Sequence, residues 1–307
     1  MKRLLVGFKA GDLKEPLLEG DVVCHTLDVY HAHAIEKTHP QAKVVCAAHL
    51  PVDDWDEIIF RTGPMLMSGE LSLDLLQEIH LLKPKKFILD FVGKERDRND
   101  LLNKVKNDPN RVRSFAARWP ASVPGGDKIL FTSFPGCFCH RRLDEGGLAL
   151  AEVVVKELQM LQVKPRKMLD MGCGSGLVGL LVSNAIADVE LTMIDSHTRA
   201  VEAAELNVKA HGANAKVYLS DNGLDGIEDA RFGEYDVFVG NPPYYSDYRI
   251  AEVFLDTAKK ALKPGGVCYT VAKNAEGLQP VQEKYFPKVE VIRRRNYSIL
   301  KSRKFGV

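Results

Sequence analysis

Two segments of this 307-residue chain hold residue types, at spacings, that could do chemistry. The first is Asn241-Pro242-Pro243-Tyr244, directly after the apolar run Asp236-Val237-Phe238-Val239-Gly240. A short buried strand that stops at Asn-Pro-Pro presents one amide side chain, fixed backbone carbonyls and an aromatic ring together. That set suits a flat amino group: two acceptors for its N–H bonds and a π face for the plane that carries it. Asn-Pro is also ordinary turn chemistry, so the tetrapeptide by itself assigns no reaction.

The second segment is Asp170-Met171-Gly172-Cys173-Gly174-Ser175-Gly176, between an apolar strand-like run and a helical one. It lies about seventy residues upstream, the spacing of one doubly wound sheet. Alternate glycines let the chain turn tightly and approach a ligand, while a helix N-terminus offers unpaired N–H groups. Two ligands suit such a turn. Gly174-Ser175-Gly176-Leu177-Val178-Gly179 satisfies the dinucleotide pattern and Asp195 falls where ribose hydroxyls would be bound, so a nicotinamide enzyme is one reading. Two details favour S-adenosylmethionine. Asp170 stands just before the first glycine, where a carboxylate meets an ammonium group, directly or through water, and repels a pyrophosphate. Asn-Pro-Pro-Tyr downstream has no use in hydride transfer.

The elements that must position these segments follow from hydrophobic periodicity. A helix over 143–161, a strand at 166–170, a helix at 177–187, a strand at 189–195 and a helix at 199–211 come first. Strands at 216–219 and 235–240, a helix at 248–262 and a strand at 266–272 complete a set of βαβ units on a largely parallel sheet. Lys263-Pro264-Gly265-Gly266 reads as a helix stop and turn. Runs at 288–293 and 296–301 close the sheet as an antiparallel hairpin.

The first ~125 residues alternate more raggedly. Strands are expected at 21–27, 43–47, 57–61, 86–91, 112–116 and 128–133, and helices at 30–37, 71–82 and 99–106. None of these strands runs into a glycine-rich turn. The stretch 119–126 is the best loop signal, with the linker expected between it and Pro135-Gly136. Two domains follow, 1–130 and 131–307, and the halves fit an internal repeat whose first copy lost its ligand chemistry.

A net charge of +1 excludes a strongly basic body, so any nucleic-acid contact must come from local patches. Met1-Lys2-Arg3 followed by Leu4-Leu5-Val6-Gly7-Phe8 mimics the opening of a secretory leader, but the apolar run breaks at Lys9, short of the roughly 7–15 residues required. No apolar run approaches the roughly 20 residues that cross a bilayer. The six cysteines are scattered rather than arranged as a disulfide framework. A cytoplasmic protein with no membrane contact is expected. Cys137-Phe138-Cys139-His140 lacks a second ligand pair at zinc spacing, so no metal is expected. Arg293-Arg294-Arg295 with Lys301, Arg303 and Lys304 is either a solvated edge or a phosphate-binding strip.

Taken in order, Asp170 to Gly176, Asp195, the Ser220-Asp221-Asn222 turn and Asn241-Pro242-Pro243-Tyr244 resemble the motifs of class I methyltransferases that modify planar amino groups. The resemblance runs from about Pro135 to the C-terminus. It implies an α/β fold: a doubly wound, Rossmann-like, seven-stranded methyltransferase sheet preceded by a degenerate α/β methyltransferase-like domain. By position it implies that Gly172, Gly174 and Gly176 line S-adenosyl-L-methionine, with Asp170 at its ammonium group. Asp195 would hold its ribose, Asp221 with Asn222 would border its adenine, and Ser196 and Asn241 would also contact the cofactor. The delocalised lone pair of such an amine makes it a poor nucleophile. Acceptors at Asn241 Oδ1 and the Pro242 carbonyl would favour a pyramidal nitrogen, and Tyr244 would stack on the target. Tyr245 and Tyr248 divide between packing and substrate contact.

Asn-Pro-Pro-Tyr/Phe serves adenine N6, guanine N2 and glutamine N5 alike. An α/β N-terminal half resembles the ribosomal RNA guanine-N2 methyltransferases more than the glutamine-modifying enzymes, whose N-terminal domain is small and helical. The segment from Phe131 through Leu143-Asp144-Glu145-Gly146 is similar to that family's junction, where Asp144 approaches the cofactor, and Arg295 to Arg303 looks like its last strand. This N-terminal half is somewhat short, and Tyr244 stands where that family usually has Phe. The expectation is methyl transfer to guanine N2 with ribosomal RNA or a ribosomal subunit as partner, by a monomer. Glutamine N5 or adenine N6 methylation, an NAD-dependent oxidoreductase and a vestigial RNA-binding module are the alternatives.

Overall fold

The computed structural model describes residues 1–106, 113–225, 227, 232–243 and 248–306. The chain divides into two units, the first comprising Met1–Ala116 with Phe134–Cys137 and His197–Arg199. Its elements are β1 (Lys2–Val6), β2 (Asp21–Thr26), α1 (Val29–Thr38), β3 (Lys43–Cys46), β4 (Glu57–Thr62), α2 (Gly69–Leu82), β5 (Lys86–Phe91) and α3 (Glu95–Lys106). The strands form a five-stranded parallel sheet in the order β3-β2-β1-β4-β5. Leu4-Leu5-Val6, the run that mimics a leader, is its central strand, and Leu4 and Leu5 are fully buried. Charge at Lys2 and Arg3 hides this strand from a periodicity reading. Arg3 is nonetheless buried, because its Nε donates to Glu57 Oε2 at 2.6 Å across the sheet.

The second unit holds Ala117–Ser133, Phe138–Ser196 and Ala200–Val307. Its elements are β6 (Ala117–Ala121), β7 (Ile129–Ser133), α4 (Glu145–Gln159), β8 (Lys167–Met171), α5 (Leu177–Ala185), β9 (Glu190–Asp195) and α6 (Thr198–His211). They continue with β10 (Ala215–Leu219), β11 (Tyr235–Gly240), α7 (Arg249–Ala261), β12 (Leu262–Ala272), α8 (Ala275–Glu283), β13 (Val289–Arg294) and β14 (Tyr297–Arg303). A seven-stranded sheet runs β10-β9-β8-β11-β12-β14-β13, and its last two strands are the antiparallel hairpin read from the sequence. α4 is apolar nearly all round, with Leu148, Ala149, Leu150, Ala151, Val154 and Val155 almost wholly buried in this unit's main core.

The five strands of the first sheet and the first five of the second follow the same order. What separates the two sheets is chemistry at the strand ends. In the first unit only two short 3-10 turns, Ala10–Asp12 and Glu15–Leu17, join β1 to β2, where the second unit has a glycine turn and α5. Without that helix there is no N-terminus to present N–H groups. The strand beside β1 ends at Gly63-Pro64, whereas the one beside β8 ends at Asn241-Pro242-Pro243.

Several sequence expectations need correction. The division falls after Ala116 rather than after 130, because Trp119 and Pro120, read as loop, lie in β6 and pair antiparallel with Phe131 and Leu130 of β7. Proline is tolerated there because a two-stranded ribbon is all edge. Of the strand expected at 112–116, residue 112 lies outside the described residues and 113–116 are not strand. Lys263-Pro264-Gly265-Gly266 forms the irregular start of β12 rather than a separate turn. α8 was not foreseen, since Pro280 inside a nine-residue helix masks its pattern. A buried polar node fastens it: Gln282 Oε1 accepts from Thr270 Oγ1 at 2.6 Å and its Nε2 donates to Ser302 Oγ at 2.8 Å.

Candidate active site

The glycine turn joins β8 to α5. Gly172, Gly174 and Gly176 all have positive φ, at 69°, 56° and 87°, which an L side chain rarely adopts. Gly172 and Cys173 donate to the Ile194 carbonyl at 2.8 and 3.0 Å, pinning the turn to the end of β9. From beneath, Asn207 Nδ2 donates to the Ser175 carbonyl at 2.9 Å. A Cβ on Gly174 would meet nothing within 4 Å, so the turn opens outward there.

Two carboxylates border it. Asp170 is 2% exposed, and its Oδ2 accepts from the Gly179 N–H at 2.8 Å. Burial raises its carboxyl from 3.8 to about 7; the Gly179 bond opposes this rise and the nearby Asp195 charge adds to it. Asp195, half-buried at the end of β9, accepts from the Gly174 N–H at 2.8 Å. Ser196 follows it and is also half-buried. Ser220 N–H donates to the Asp195 carbonyl at 3.0 Å, which draws the turn after β10 to the same end of the sheet. Ser220 Oγ then donates to Asn222 Oδ1 at 3.0 Å, with Asp221 half-buried between them.

β11 lies beside β8 in parallel, with Gly240 opposite Met171, so Asn241 emerges next to Gly172. Asn241 Nδ2 donates to Asp144 Oδ2 at 2.9 Å, and Asp144 is the N-cap of α4, its Oδ1 accepting from the Gly146 N–H at 3.0 Å. Burial holds the Asp144 carboxyl above its ordinary value, against hydrogen bonds from Gly147, Asn241 and Gly146. Pro242 is buried and Pro243 half-buried. Tyr244 and Tyr245 lie outside the described residues. Tyr248 packs against α8, where a Cβ on Gly277 would stand 1.8 Å from its hydroxyl; of its two expected roles, the structure supports packing.

Sequence reasoning missed Tyr297 and Lys273. Lys273 Nζ sits 4.5 Å over the Tyr297 ring, and a Cβ on Gly146 would lie 3.1 Å from that ring. The pair therefore flanks the start of α4 beside Asp144. Both come from the far end of the chain, with no local motif to mark them. Five of the six residues of the C-terminal basic cluster are paired within their own unit. Arg294 Nε and Arg295 Nη2 pair with Glu152 at 2.5 and 2.8 Å, and Lys301 pairs with Glu157 at 2.7 Å. Arg303 and Lys304 donate to the Gly265 and Leu262 carbonyls. Paired with their own unit and partly exposed, these side chains favour the solvated edge over a phosphate-binding strip. Among the described residues no group of three or more His, Cys, Asp or Glu is placed to hold a metal ion, and no helix is long and apolar enough to cross a membrane.

Residues 128–301 match the methyltransferase small domain family. The chain belongs to it. Among curated relatives, a ribosomal RNA small subunit methyltransferase C of Shewanella loihica is 32% identical over 63% of this chain and 54% of its own length. One from Pseudomonas aeruginosa is 31% identical over 57% of this chain and 50% of its own. The chain thus spans about half the length of the curated relatives it matches. A solved structure of a 16S rRNA N2 G1207 methyltransferase from T. thermophilus, in complex with AdoMet and guanosine, shares the fold. It superposes with a TM-score of 0.80 at 19% identity, covering 99% of this chain and 88% of that one.

Proposed function

We propose that this protein transfers a methyl group from S-adenosylmethionine to an exocyclic amino group, guanine N2 in small-subunit ribosomal RNA. The observation that carries the reading is the register of β11 on β8, which sets the Asn241 amide beside the glycine turn. The residues at the turn suit this cofactor. Asp170 and Asp195 favour an ammonium group and ribose hydroxyls and disfavour a pyrophosphate, and Gly174 leaves backbone open to close approach. Asp221 and Asn222 would border the adenine, and Ser196 the ribose. When bound, the cofactor supplies an electrophilic methyl group on a sulfonium.

What the chain does is position the acceptor. Asn241 Oδ1 and the Pro242 carbonyl accept the two N–H bonds of the amine, which turns its lone pair out of conjugation. No strong general base is needed, because the amine becomes acidic only as the methyl bond forms. A base within an RNA helix must be flipped out to reach Asn241. The relatives' names and the guanosine in the T. thermophilus structure favour guanine in ribosomal RNA over adenine N6 or glutamine N5. The first unit, lacking a glycine turn and an Asn-Pro-Pro strand end, is read as a degenerate copy. A monomer in the cytoplasm completes the proposal.

The test is mass-spectrometric mapping of methylated nucleosides in small-subunit ribosomal RNA with and without the protein, alongside calorimetry with S-adenosylhomocysteine. N2-methylguanosine is the expected product. Asn241→Ala should keep ligand affinity within about threefold and lose about 100-fold or more in transfer. Binding of NADH in place of S-adenosylhomocysteine, or methylated adenine as the product, would overturn the assignment.

A further inference from the structure

An asparagine that must accept from its substrate has a hazard built into it: its amide can turn over. One face of the planar group accepts and the other donates, and the two are nearly isosteric. Presented with Nδ2 outward, Asn241 would offer a donor to an amine that itself only donates. Something in the fold must choose.

We propose that Asp144 is the positioning residue that locks the Asn241 amide with Oδ1 toward the acceptor. The argument is stereochemical and rests on the proposed transfer to an amine. Asp144 accepts N–H bonds from Gly146, Gly147 and Asn241, so it acts as an acceptor throughout and the Nδ2 side of Asn241 faces its Oδ2 at 2.9 Å. Oδ1 is then left on the side of the amide away from Asp144. The carboxylate is itself fixed, because its other oxygen caps α4 through the Gly146 N–H at 3.0 Å. Gly147 keeps the space open, since a Cβ there would stand 2.6 Å from Asp144 Oδ2. The cap, the two glycines and the 2.9 Å contact define one orientation for each oxygen.

This arrangement predicts an inverted order of variants. Asp144→Asn is nearly isosteric, and its amide oxygen remains on the α4 cap. Its NH2 then faces Asn241, which must turn Oδ1 inward to accept from it. Asp144→Ser keeps a capping hydroxyl but does not reach Asn241, so the amide is free rather than inverted. Methyl transfer should therefore fall by about 10-fold in the serine variant and about 100-fold in the asparagine variant, with melting temperature little changed. The exchanged pair, Asp144→Asn with Asn241→Asp, puts a carboxylate where the amide was. One of its oxygens accepts from position 144 and the other faces the amine, so transfer should recover to within about 10-fold of the parent.

The experiment is kcat and KM for these variants of the full chain on small-subunit ribosomal RNA, with side-chain amide NMR of the 15N-labelled protein as an activity-independent arm. The parent's Asn241 NH2 pair should exchange slowly with solvent, and the serine variant should lose that protection. A role in shape or capping alone predicts that Asp144→Asn is the mildest change. That order, or Asn241 amide protection unchanged in Asp144→Ser, would overturn the lock. If the parent transfers no methyl group to RNA, the functional reading fails and the amide signals alone decide whether the lock exists.

Discussion

Asp170→Asn should make the ligand-free protein more stable at alkaline pH while weakening its hold on S-adenosylhomocysteine. The native carboxyl titrates at about 7 rather than 3.8, because burial penalises its charge. Between those values the native state keeps a proton that the unfolded chain has lost. Native protein then binds more protons than unfolded protein, so unfolding free energy falls as pH rises through that window. Above pH 7 the whole cost of the buried charge is present. A shift of about three units at about 1.4 kcal/mol each bounds that cost near 4 kcal/mol. Relaxation around a real buried ion leaves about 2 kcal/mol as a working figure, or roughly 4–8 °C in melting temperature for a unit of this size. The asparagine oxygen can still accept from the Gly179 N–H, so the variant removes charge and little else. Paired thermal unfolding from pH 4 to 8.5 should show the variant's advantage growing with pH and vanishing near pH 4. Calorimetry at pH 7 in buffers of different ionisation enthalpy should show the parent releasing about half a proton on ligand binding and the variant none. An advantage that does not vary with pH, or a variant less stable than its parent at pH 8.5, would refute the reasoning.

Gln282→Ala should lower stability by about 2–4 kcal/mol in urea titrations, because it strands the buried Thr270 and Ser302 hydroxyls and leaves a cavity among α8, β12 and β14. Replacing Arg294 and Arg295 together by Gln should destabilise by about 3 kcal/mol, since Glu152 is buried and would lose both partners. The same variant should leave the slope of log affinity against log salt for RNA unchanged. A slope lower by about two would make these arginines phosphate contacts after all.

The seven-stranded sheet was legible because periodicity and glycine turns act locally. β8, β9, β11 and the hairpin β13–β14 lie close to where their apolar runs put them. What stayed hidden depended on distant partners. β1 has too few residues to alternate, and its charged start is neutralised only by distant residues, Lys2 by Asp53 and Arg3 by Glu57. The ribbon β6–β7 carries a proline that a central strand would reject, and the edge position that permits it is a tertiary fact. The shared strand order of the two sheets is likewise invisible to residue matching, because it is a property of topology that the residues at the strand ends do not repeat.

The site divides along the same line. Gly172, Gly174, Gly176 and Asn241 could be picked out because backbone conformation and turn chemistry constrain residue type within a few positions. The state of those groups could not. Whether Asp170 carries a charge depends on how completely β8 is covered, and 2% exposure turns an expected anion into a group poised near neutrality. Which way Asn241 points depends on a carboxylate 97 residues away, Asp144, which the resemblance places near the cofactor and which the structure shows capping α4 and accepting from the Asn241 amide. The motif therefore names the atoms available for catalysis, and the fold decides which of them face the substrate. In the proposed transfer, which works by accepting two hydrogen bonds, that orientation is as much a part of the site as the asparagine itself.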